Sequence, residues 1–141
     1  MMNRLLSLAI ACAAIFAFDA RATETPGPLP VHWSEGAQDC AKDPPPPIQV
    51  HAYDPHTFIL RESLCATFEG NFIYLLAGTS KSLLIDTGAV ADPEQMPLAR
   101  TVMDLLADAG AADRPLLVVH THRHQDHRAG DGQFEGLAKV T

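Results

Sequence analysis

The stretch "RPLLVVHTHRHQDH" constrains this chain more than any other. A proline precedes four apolar residues, Leu116 to Val119, and four of the seven histidines then fall between His120 and His127, with Asp126 among them. A short continuous apolar run of this kind reads as a strand buried on both faces, as in a parallel sheet. Side chains two apart on an extended chain point the same way, so His122 and His124 can approach one ion together. Asp126 continues that alternation, and His127 points elsewhere once the chain bends. The segment thus offers two ligand pairs, His122 with His124 and Asp126 with His127. Imidazole and carboxylate suit zinc, at bond lengths of about 2.0–2.2 Å. A histidine cluster can also be a solvated loop, but ligand-type residues at the end of a buried strand favour the metal reading. His120, outside the spacing, reads as a strand-end residue with no role.

The flanking segments supply the layers around that strand. "HTFILRESL" has strand composition, and "NFIYLLAGTSKSLLIDTG" reads as two apolar runs around a turn, a hairpin. "ADPEQMPLARTVMDLLADAG" reads as a helix, with Asp92 as cap, Pro93 in the first position and Gly110 as the stop. Leu98, Val102, Leu105, Leu106 and Ala109 then share one face. Pro97 leaves the true start of this helix open. Strands on both sides of a helix indicate an α/β layered fold.

"THRHQDHRAGD" resembles the His-x-His-x-Asp-His signature of the metallo-β-lactamase fold superfamily, and "SLLIDTG", Ser82 to Gly88, resembles that family's earlier strand-and-loop motif. The resemblance runs from about Thr57 to Thr141. It implies the N-terminal part of an αβ/βα four-layer sandwich, truncated, and a hydrolase with two zinc ions in the complete domain. Carried onto this chain, His122 and His124 serve the first ion, Asp126 and His127 the second, and Asp126 is the carboxylate placed for catalysis. Histidine at 124 resembles the hydrolytic zinc branches rather than the di-iron oxidoreductases. Ala129 departs from the glycine that many relatives carry there, a mild change in a turn. Asp86, closing the "LLID" strand, has two readings, orienting a ligand histidine or capping the turn at "DTG". No histidine follows His127, and Asp131 and Glu135 are too close to it to be the family's downstream ligands. The chain therefore reads as an N-terminal part that is inactive alone. A non-catalytic exported metal-binding protein and a nonfunctional remnant are the alternatives.

Charge narrows the partners. The net charge is −7, and no cluster of Lys and Arg offers phosphate a site, which argues against nucleic acid. The resemblance implies instead a small-molecule substrate with an ester, amide or thioester-like bond. At the start, "MMNR" and the apolar run "LLSLAIACAAIFAF" precede "ARA", the small-x-small pattern of a cleaved signal peptide over residues 1–22. A membrane span needs about 20 apolar residues, more than this run has. Export to the periplasm or beyond follows, with no membrane attachment after cleavage. Cleavage removes Cys12 and leaves Cys40 and Cys65, whose pairing would close a loop of about 26 residues and contribute about 3.5 kcal/mol. Two unpaired buried thiols are the other possibility. Residues 23–50 carry most of the prolines and read as an irregular lead-in to the domain at 51–141, with Trp33 as a packing residue.

Overall fold

Proline fixes where regular structure starts. The computed structural model describes residues 27, 28 and 30–140, and the signal pattern at 1–22 lies outside them. Chain 30–47 carries no strand or helix, and its four consecutive prolines, Pro44 to Pro47, end where β1 (Ile48–Asp54) begins. This strand opens three residues inside the segment expected to be irregular. An Asx turn, with His56 N–H donating to Asp54 Oδ1 at 2.7 Å, leads into β2 (Thr57–Glu62).

The expected hairpin follows as β3 (Phe72–Ala77) and β4 (Ser82–Ile85). After α1 (Leu98–Asp108) come β5 (Leu116–Val119), two 3-10 turns at Gln125–His127 and Ala129–Phe134, and β6 (Ala138–Val140). The six strands lie in one sheet in chain order. Pairing is antiparallel from β1 to β4 and parallel from β4 through β5 to β6.

Alternation along the strands decides which face is covered. Phe58, Leu60, Ile73, Leu75, Leu84, Leu116 and Val118 are buried on one face, where Leu98, Val102 and Leu106 of α1 join them in a single core. Burying each such side chain contributes about 1.5–3 kcal/mol. The opposite face carries Phe72, Tyr74 and Leu76, each 36–39% exposed. Leu117 and Val119 lie half-buried there, so β5 is covered on one face rather than on both.

The helix starts later than its cap residue suggests. Asp92 closes a turn instead, its Oδ1 accepting from Glu94 N–H and its carbonyl from Met96 N–H. Pro97 disfavours helical backbone at the residue before it, so the helix runs only from Leu98. Its N-terminal donor at Ala99, which has no partner within the helix, is met from afar by Gln133 Oε1 at 3.2 Å. The end is as expected. Gly110 adopts φ 65°, and Gly110 and Ala111 N–H donate back to Ala107 and Leu106 carbonyls in a Schellman arrangement.

The lead-in is fastened to the sheet. Trp33 packs edge-on against Phe72, with ring centroids 5.1 Å apart, while Gln49 and Arg61 side chains bond the backbone of residues 32 and 34. Cys40 is disulfide-bonded to Cys65, with Cα atoms 5.6 Å apart.

Candidate metal centre

Parallel strands β4 and β5 end side by side, and their C-terminal ends carry Asp86 and the histidine segment. Asp86 is 2% exposed and takes a left-handed φ of 67°, which aspartate tolerates better than most residues. From there its carboxylate accepts three hydrogen bonds. Thr121 donates its backbone N–H at 2.7 Å and its hydroxyl at 2.8 Å, and His127 donates from Nδ1 at 2.8 Å. Burial alone would push this carboxyl up, but the donors from His127 and Thr121 outweigh it and hold Asp86 below the usual carboxylate range. The Asp86 carboxylate thus holds the His127 ring by Nδ1 and fixes its plane. Of the two readings of Asp86, the structure shows the histidine-orienting one.

The ligand-type side chains gather in pairs. The rings of His122 and His124 lie 4.6 Å apart between centroids, and those of His122 and His127 lie 4.1 Å apart. Asp126 Oδ2 sits 3.3 Å from His127 Nε2. His122 and His124 are exposed, whereas Asp126 and His127 are half-buried. Among the described residues, no three His, Cys, Asp or Glu converge as a metal-holding group. The donor chemistry suits zinc in kind, with one imidazole already oriented, but it is arranged as pairs rather than as a closed shell.

Two residues that the sequence hides support this loop. His120 is not idle. Its side chain is 6% exposed, and its Nε2 lies 2.8 Å from Asp131 Oδ1, which also accepts from the Thr87 hydroxyl. His120 and Asp131 thus bracket the histidine segment at its two ends. Glu62, at the end of β2, is 2% exposed and accepts from Ala89 N–H at 2.7 Å and Asn71 N–H at 3.1 Å. Burial pushes its carboxyl up, against the amides of Ala89, Asn71 and Val90 that pull it down. A glutamate ending a strand reads as a surface residue, and only the long-range contact reveals it.

With this geometry in hand, the family model described as the metallo-beta-lactamase superfamily matches residues 66–141. The chain belongs to the metallo-β-lactamase superfamily. Members of this superfamily usually bind zinc. Two curated relatives, the human and bovine proteins named acyl-coenzyme A thioesterase MBLAC2, are each 40% identical over 68 residues. Those matches cover 47% of this chain and 24% of each relative, so the chain spans about a quarter of their length. The mixed sheet with a helix on one face agrees with the N-terminal part of the superfamily's layered sandwich.

Proposed function

We propose that this chain supplies the N-terminal half of the metal centre of an exported zinc-dependent hydrolase that cleaves a thioester or related acyl bond. The observation that carries the reading is the bond from His127 to buried Asp86, which sets Nε2 beside Asp126 and the ring next to His122. A carboxylate held against one ring nitrogen is what orients a metal-binding imidazole. His122 with His124 would hold one ion, and Asp126 with His127 a second. Bound zinc supplies Lewis acidity and lowers the pKa of water toward neutrality. The protein's share is to aim the imidazoles, to place the Asp126 carboxylate beside the reacting water and to keep the loop from collapsing. The thioester preference draws on the acyl-coenzyme A thioesterases, 40% identical over the matched segment. Export draws on the signal pattern and agrees with the bridged Cys40 and Cys65.

Pairs of donors also set a limit. Structural zinc takes about four protein ligands and catalytic zinc about three, whereas each proposed ion finds two here. The 141-residue chain is therefore expected to hold one zinc weakly at most and to show no hydrolysis above background. Calorimetric zinc titration and a panel of thioesters, esters and lactams test this. Two tightly held zincs with turnover would sink the half-site reading. Stoichiometric zinc without turnover on any panel member would favour a non-catalytic metal-binding protein.

A further inference from the structure

Glu62 is a buried carboxylate on which two different struts meet. Its Oε2 accepts from Asn71 N–H, and the Asn71 side-chain amide then donates to the Asp126 carbonyl at 2.7 Å. Its Oε1 accepts from Ala89 N–H, next to Gly88, whose carbonyl accepts from Ala129 N–H at 2.9 Å. Thr87 N–H, one residue earlier, donates to the His127 carbonyl at 2.8 Å. The two struts thus reach the histidine segment on either side of His127. Gly88 shows how close the approach is. It sits at φ 74°, and a Cβ there would run into Glu62 Oε1 and Cδ. Burying a carboxylate has a cost that a strand end does not require, because an apolar residue would fill the same space.

We propose that Glu62 is a positioning residue for the metal centre, fixing Asp126 and His127 through Asn71 on one side and through Gly88–Ala89 on the other. The role rests on reading Asp126 and His127 as metal ligands. Asn71 carries the link to Asp126 alone, so its loss should loosen one side of the loop. Loss of the Glu62 charge should loosen both.

The test uses the full chain and the variants Glu62→Gln, Asn71→Ala and Leu106→Ala. The last lowers stability through the helix core without touching this network. In the metal-free protein, amide hydrogen exchange reports the loop directly. Asn71→Ala should speed exchange at His127 and Arg128 by about tenfold or more, and Glu62→Gln should do so at Ala129 as well. Val118 in β5 should be unchanged in both, while Leu106→Ala should affect Val118 and spare the loop. With cobalt as the probe, both network variants should weaken binding about 10–100-fold and alter the visible spectrum. Loop exchange at wild-type rates in both network variants, or the same loop response from Leu106→Ala, would overturn the proposal. If Glu62→Gln does not fold, Asn71→Ala decides alone. If the wild-type chain binds no cobalt, the metal reading fails, and the exchange arms still decide whether Glu62 holds the loop.

Discussion

Asp86 does two things with one side chain. It closes β4 in a left-handed conformation and holds His127 by Nδ1. Asparagine tolerates that backbone, so Asp86→Asn isolates the charge. It should lower cobalt or zinc affinity about 10–100-fold, read by competition with a chromophoric chelator. The pH response carries a sign. A carboxyl held below its unfolded value contributes stability above about pH 4, lost as pH falls through the folded value. Wild-type protein should therefore lose more stability than Asp86→Asn between pH 5 and the acid limit, in urea titrations at stepped pH, with about 5 as the upper end of that window. In any form of the protein that shows the proposed hydrolysis, Asp126→Ala should abolish it while leaving unfolding nearly unchanged, since Asp126 lies at the outer end of the site. Wild-type turnover by the folded variant would remove Asp126 from the chemistry. The histidine spacing was legible in sequence because these side chains lie close together along the chain. His120 and Glu62 were not, because their partners, Asp131 and Ala89, meet them only through the fold.

Glycines separate the forces acting on the elements. Gly88 and Gly110 both take positive φ, but only Gly88 faces another side chain at close range. Gly110→Ala should cost about 1–2 kcal/mol, the backbone term alone. Gly88→Ala adds the collision with Glu62 and should cost more, with the excess read from the shift in urea midpoint. Equal losses would show that Glu62 yields easily, against its placement at the centre of two struts. The hairpin, the body and end of α1, and β5 were readable because apolar runs or periodicity marked each. β1 was not. "IQVHAYD" alternates Ile48, Val50 and Ala52 with polar residues, but it follows four prolines directly, and the proline-rich reading runs over its start. The helix start was misplaced because Asp92 carries the chemistry of a cap, while Pro97 forces the chain to begin again.

Taken whole, the molecule is one sheet with a core on one face and Phe72, Tyr74 and Leu76 showing on the other. Export makes a prediction at this scale. Exported protein should begin at Thr23 and carry the Cys40–Cys65 bridge, both read by intact-mass measurement with and without reductant. A Met1 start, or two thiols that alkylate without reduction, would count against the expected compartment. The order of the strands has a consequence for how the chain acquires its structure. Each strand pairs with its neighbour in sequence, and β1 to β4 form a meander whose connections are residues 55–56, 63–71 and 78–81. Contacts of short sequence separation are cheap in loop entropy and form early. The β4–β5 pairing must wait for the α1 crossover, and the histidine segment hangs from the end of β5. Glu62, Asn71 and Asp86, which contact the histidine segment or its neighbours, thus belong to the meander or its end, and that segment docks later onto a surface already made.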